Sequence, residues 1–440
     1  MTPSGTLVNS LEVPNSTQSG VPSTKDQMVT SFSSKSEIAL NLSTSGQYVT
    51  FMGYNAPVGA LDVSNSNTPG AIDPTNPVPG ATYRVVAQLD SHGKFRFTET
   101  NAYSGNNGRA AILNDKSGAD TLYTAGNAGN GSNPQPEGVV LGAGAQLLNP
   151  ETKAEVAQQP GPPTPVGSFS VTQLGDKADK VGKDDNFRGM TISDNVLYYT
   201  KGSGSNGVNT VYFLDTTGTA CPTGVGLPTP GAPLPTTALA YDATTGLTPN
   251  NMCILKGFPT TLAKTSTDSF PFGIWFANPD TLYVADEGNG SNTYSTTTAQ
   301  YTDAAAQTKA GLQKWVFDAA SGTWNLAYTL QGGLNLGQPY TVSGYPAGNN
   351  PTTGLPWAPA TDGLRNITGR VNADGTAAIW AVTSTVSGNG DQGADPNKLV
   401  AVTDPPATTA MPANESFVPV DAAGYGEVLR GVSFTPGTTS

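Results

Sequence analysis

Phe272-Gly-Ile-Trp-Phe-Ala-Asn-Pro-Asp runs directly into Thr281-Leu-Tyr-Val-Ala-Asp-Glu-Gly. An apolar run of strand length, a turn of Asn, Pro and Asp, and a second run of Leu, Tyr and Val make this a β-hairpin rather than a helix. The same phrase recurs. Arg109-Ala-Ala-Ile-Leu-Asn-Asp leads to Thr121-Leu-Tyr-Thr-Ala-Gly, and Arg188-Gly-Met-Thr-Ile-Ser-Asp leads to Val196-Leu-Tyr-Tyr-Thr-Lys-Gly. Arg365-Asn-Ile-Thr-Gly-Arg-Val leads to Ala378-Ile-Trp-Ala-Val-Thr, and a degenerate first copy runs from Glu37-Ile-Ala-Leu-Asn-Leu-Ser to Tyr48-Val-Thr-Phe-Met-Gly. A last copy is cut short at Arg430-Gly-Val-Ser-Phe.

Behind most hairpins follow further candidate strands. Examples are Tyr83-Arg-Val-Val-Ala-Gln-Leu with Lys94-Phe-Arg-Phe-Thr, and Leu312-Gln-Lys-Trp-Val-Phe-Asp with Trp324-Asn-Leu-Ala-Tyr-Thr-Leu. Thr210-Val-Tyr-Phe-Leu-Asp is another, as is Lys398-Leu-Val-Ala-Val-Thr-Asp with Ser416-Phe-Val-Pro-Val. A four-stranded antiparallel unit repeated five or six times predicts an all-β fold, a β-propeller in which each blade buries its faces against its neighbours.

The copies begin farther apart than the usual blade of about 40 to 50 residues, so the excess is assigned to Pro/Gly/Thr-rich loops at 128–167, 216–250 and 332–360. The final copy has no strands after it, and Thr6-Leu-Val-Asn-Ser-Leu-Glu-Val has none before it. The expectation is therefore a single domain over 1–440, with six blades favoured over seven. Its N- and C-terminal strands would share a blade, because an open ring leaves two unpaired edges.

Leu282-Tyr-Val-Ala-Asp-Glu-Gly-Asn, followed after an insertion by Gly311-Leu-Gln-Lys-Trp, resembles the repeat of NHL-type propellers. The whole chain is similar to uncharacterised secreted propellers of that kind. The match in detail covers one blade, and the insertion after Asn289 departs from the family repeat. The resemblance implies a propeller, commonly six-bladed, used for binding in some members and as an enzyme scaffold in others.

Of 440 residues only 12% are charged, with Gly 52 and Pro 35, a composition suited to many turns and few helices. A net charge of −12 argues against nucleic acid, which needs a basic stripe. There is no apolar run of the ~20 residues that a membrane-spanning helix takes. Cys221 and Cys253 flank one of the loops, and a disulfide between them is expected in an oxidising compartment. Sequons stand at Asn15, Asn41, Asn130, Asn289, Asn366 and Asn414. The opening Met1-Thr2-Pro3-Ser4-Gly5 lacks the basic start and apolar core of a signal peptide. An extracellular or cell-surface protein, the expected localisation, would on this reading be trimmed or a fragment.

Catalytic residue types are scarce. The single histidine, His92, falls in a hairpin turn, away from any nucleophile, and histidine-based zinc or iron sites need more than one. The recurrent feature is an arginine just before the innermost strand: Arg109, Arg188, Arg365 and Arg430, with Phe272 and Glu37 in its place in the other copies. Two readings stay open. The arginines ring the channel mouth and hold a carboxylate, sulfate or phosphate, or each ties adjacent blades through backbone carbonyls or nearby acids: Asp185, Asp362 and Glu427. Asp286, Glu287 and Asp391, with Asn289 and Asp395, offer oxygen ligands for Ca²⁺, without EF-hand spacing; no other cofactor is expected. Tyr123, Tyr198, Tyr199, Trp315 and Trp380 are assigned to packing between blades, with an exposed ring able to stack on a sugar.

The leading expectation is a secreted, noncatalytic, monomeric propeller that binds a glycan or a protein partner through one face. The alternative is a polysaccharide lyase or hydrolase using Tyr, Arg and carboxylates at the channel mouth, for which a carboxylate pair at a defined separation is needed. A structural matrix component is the third class.

Overall fold

The computed structural model describes residues 1–19, 27–31, 36–70, 72–116, 120–127, 145–148, 150, 165–167, 186–204, 207–229, 231, 234, 252–265, 267–389 and 395–438. Its contacts separate two compact units, one formed by Met1–Ser10 with Asp268–Val432, the other by Leu11–Thr267 with Ser433–Ser440.

The fold is all-β, with five sheets of the β-propeller blade type among the described residues. Three lie in the larger unit. Blade one is Asn41–Leu42, Tyr48–Tyr54, Arg84–Asp90 and Phe95–Thr100. Blade two is Gly108–Asn114, Thr121–Gly126, Ala145–Leu148 and Pro165–Gly167. Blade three is Phe187–Ser193, Val196–Lys201, Thr210–Leu214 and Met252–Leu255, with Val225–Gly226 added in parallel to the last. The other unit holds blade four, Pro271–Asn278, Thr281–Asp286, Gly311–Asp318 and Thr323–Leu330. Beside it is blade five, Ala360–Val371, Ala377–Val386, Lys398–Asp404 and Val418–Ala422. The four strands of each blade follow chain order and pair antiparallel. The longest helix among the described residues is one turn, Thr302–Ala305, and none is long and apolar enough to cross a membrane.

The five hairpin copies coincide with the five blades. The count differs from the six favoured on sequence. Neither Thr6–Val13 nor Arg430–Phe434 lies in a strand, so the terminal segments build no shared blade. Around the last copy the backbone bonds to side chains instead of a ladder: Leu429 N–H donates to Asn397 Oδ1 and Val432 N–H to Asn366 Oδ1, each at 2.7 Å. Two stretches assigned to loops also carry strands, Ala145–Leu148 with Pro165–Gly167 in blade two and Val225–Gly226 in blade three. The 332–360 stretch is turns and bends until Ala360 opens blade five.

The first strand of blade two is buried throughout, and those of blades three, four and five are buried over their first halves or more, as their apolar runs require. In the two-blade unit they approach closely because Gly273 and Gly363 have no side chains: a Cβ on Gly273 would stand 2.5 Å from Arg365 O, and one on Gly363 would collide with Asp286 O. Behind them one core spans both blades, with Tyr283, Leu312 and Leu330 of blade four meeting Leu364, Ile379, Val400 and Phe417. The three-blade unit has its own cores, one around Met52, Val86, Tyr103 and Leu122 and another around Phe51, Val85 and Phe97.

Candidate functional site

The blade-two and blade-three arginines are committed to the scaffold. Arg109 donates from Nη1 to the Phe187 carbonyl (3.0 Å) and to Asn186 Oδ1, and from Nη2 to Asn107 Oδ1 (3.3 Å), tying blade two to the start of blade three. Arg188 donates from Nη1 to Ser36 Oγ and from Nη2 to Ser203 Oγ. Arg430 is half-buried and off any strand, so it does not occupy the position of the other three.

Arg365 differs. It lies on the first strand of blade five, and its Nε donates at 3.2 Å to Glu287 Oε2, just beyond the second strand of blade four. Its two terminal nitrogens have no acceptor among the described residues, although the side chain is only 5% exposed. The acids near Arg188, Arg365 and Arg430 in sequence are not their partners where described. Asp362 accepts from Gly290 N–H (2.8 Å) and Gln307 Nε2 (2.6 Å), and Glu427 Oε2 accepts from Gly424 N–H. Asp185 lies outside the described residues.

Around this ion pair the open end of the blade-four hairpin, opposite its turn, gathers acid. Asp286 is fully buried and accepts from Phe270 N–H (2.7 Å), Gly288 N–H (3.0 Å) and Gln313 Nε2 (3.1 Å). Burial pushes its carboxyl up to about 8, opposed by the two backbone donors and reinforced by the charges of Glu287 and Asp362. Gly288, with φ +82°, turns the chain tightly against Asp362, where any Cβ would meet the carboxyl. Ser384 Oγ holds the Glu287 carbonyl at 2.5 Å. The result is an ion pair set among Asp286 and Asp362, presenting N–H donors and a carboxylate together.

The calcium expectation fares differently. The oxygens of Asp286 and Asp362 take N–H donors and Glu287 takes a guanidinium. Among the described residues the metal-type cluster is Asp215, Cys221 and Cys253. Its two cysteines form a disulfide, with Cα atoms 5.8 Å apart, which removes their thiolates. Asp391 lies outside the described residues; Asp395 accepts from Tyr345 OH at 2.6 Å and from Asn389 Nδ2.

His92 stands in the turn between the last two strands of blade one, its backbone N–H donating to Asp90 Oδ1. Tyr123, Tyr198, Tyr199, Trp315 and Trp380 are buried. Of the sequon asparagines, Asn15 and Asn366 are buried and Asn41 donates to the Ala111 carbonyl, while Asn289 and Asn414 are exposed. Asn130 lies outside the described residues.

Sequence reasoning missed a second buried pair. Lys314 Nζ donates to Asp404 Oδ2 (2.8 Å), the Pro405 carbonyl (2.7 Å) and Tyr328 OH (3.2 Å), and both charged side chains are 1% exposed. Tyr283 and Tyr328 hydroxyls donate to the two Asp404 oxygens. Every proton of the ammonium is used. A signal existed in the alternation Leu312-Gln-Lys-Trp-Val, which puts a lysine on the face of Leu312 and Val316.

No protein-family model matches the sequence, and no curated protein matches it, so the NHL-like repeat has no support from that side. Solved structures do match. An oxidoreductase described as a glucose dehydrogenase from Thermus thermophilus is 14% identical, with 80% of this chain and 92% of that one covered and a TM-score of 0.30. A GH43 protein from Bacillus licheniformis is 8% identical, with 87% of this chain covered, 54% of that one, and a TM-score of 0.30. Similarity this low carries no functional argument.

Proposed function

We propose that this all-β protein is a noncatalytic binder of glycans, that it recognises sugar hydroxyls at Arg365 and Glu287, and that it works outside the cell. The observation that carries the reading is the ion pair in which Arg365 spends one nitrogen on Glu287 and keeps two donor groups without an acceptor among the described residues. A sugar hydroxyl both donates and accepts, so a guanidinium beside a carboxylate meets two neighbouring hydroxyls at once. The same surroundings weigh against the sulfate or phosphate expected on sequence, because Glu287 and Asp362 stand beside the single cation. The Cys221–Cys253 bond agrees with an oxidising compartment.

The test is a panel of soluble oligosaccharides titrated calorimetrically into the full chain, with product release followed in parallel. The reading expects saturable binding without new reducing ends or unsaturated products, and binding weakened in Arg365→Gln. Turnover of any panel member, abolished by Asp286→Asn, would replace binding with a hydrolase or lyase.

A further inference from the structure

In the two-blade unit, the loop before blade five sets Tyr340 against Lys398 and Tyr345 against both Asp395 and Tyr425, the last of which follows the strand paired with Lys398. Lys398 opens the third strand of blade five, opposite Ala422. Its Nζ lies 3.8 Å from the centre of the Tyr340 ring and has no acceptor among the described residues. Burial lowers its pKa, the mark of a cation stripped of part of its water without a carboxylate in return. The rings are held from behind: Tyr340 OH donates to the Pro396 carbonyl at 2.7 Å, and Tyr345 OH to the buried Asp395 at 2.6 Å. Tyr425 stands edge-on to Tyr345, centroids 6.2 Å apart at 69°, and is 65% exposed. A Cβ added to Gly344, at φ +77°, would stand 3.6 Å from Tyr425 Cβ.

We propose that Tyr425, Tyr345, Tyr340 and Lys398 form a second binding site, for a uronic acid residue of an acidic polysaccharide. The apolar C–H face of the sugar ring lies on Tyr425, a large rigid surface with little entropy to lose. The sugar carboxylate meets the Lys398 ammonium, supplying a charge-assisted bond that no described residue provides. Two fixed phenols behind this platform keep it in place before the ligand arrives. The site does not depend on Arg365 and stands or falls separately from the reading given to that residue.

The experiment titrates the full chain with an oligogalacturonate and with a neutral oligomer of equal length, using wild type, Tyr425→Ala, Lys398→Met and Arg365→Gln. The expected result is tighter binding of the acidic oligomer by about tenfold, weakened at least about tenfold by each of the first two variants, with the preference for the acidic over the neutral oligomer kept in Arg365→Gln. Tyr425→Ala removes an exposed ring, so it should keep the wild-type melting temperature, and its result holds even if Lys398→Met unfolds. No binding of the oligogalacturonate by wild type, equal affinity for both oligomers, or full affinity in Tyr425→Ala would each overturn the proposal. Loss confined to Arg365→Gln would do the same, by assigning the binding to the other site.

Discussion

Two buried ion pairs join blades four and five, and they are built for different ends. Lys314–Asp404 is closed: three acceptors for three ammonium protons, two tyrosine hydroxyls on the carboxylate, and no donor left over. Arg365–Glu287 is open, with one guanidinium nitrogen bonded and two without an acceptor among the described residues. A saturated network serves the scaffold, while unused donors at the edge of burial serve a ligand. Arg109 and Arg188 also hold the scaffold, because their terminal nitrogens end on Phe187, Asn186, Ser36 and Ser203.

The comparison breaks most readily at Lys314. Lys314→Met leaves Asp404 charged and buried, and should lower unfolding free energy by about 3–5 kcal/mol, read from urea denaturation. A loss no larger than that of an exposed lysine would show that the closed pair carries no structural weight. Adding Asp404→Leu should recover most of the loss, since replacing both charges by apolar groups is often neutral; failure to recover would point to the tyrosines instead. Tyr283→Phe, which removes one donor to Asp404, should cost about 1–2 kcal/mol by the same assay.

A smaller effect sharpens the open side. Asp286 in the folded protein has its pKa raised to about 8 from an ordinary carboxyl value near 4. Between those values the folded state holds the proton and the unfolded state does not, so this group lowers stability as pH rises through the window and contributes no further change above it. Asp286→Asn should flatten that part of the stability–pH curve. A curve with unchanged slope would mean that Asp286 is ionised throughout, with its three N–H donors outweighing burial.

The blades were legible because each hairpin repeats an apolar run, a turn and a second apolar run, a pattern local enough to be read without partners. Met252–Leu255 escaped because four residues after a Pro/Gly/Thr-rich stretch make too short a run to stand out. The arginine positions were legible as a repeated phase, and Arg109 and Arg188 end on scaffold acceptors. Their partners were not legible, because Glu287 and Arg365, Ser36 and Arg188, or Lys314 and Asp404 meet only after distant segments fold together. The tyrosine cluster around Lys398 was hidden for the same reason, its members coming from two loops and a strand end.

The open pair is tested most directly by calorimetric titration of the tightest-binding neutral oligosaccharide into wild type, Arg365→Gln and Glu287→Gln, each checked for a cooperative thermal transition. Losing a charge-assisted bond of about 1.5–3 kcal/mol should weaken affinity by about 10- to 100-fold in both variants. Affinity equal to wild type in folded Arg365→Gln would contradict the account, and would place Arg365 with Arg109 and Arg188 as a tie between blades.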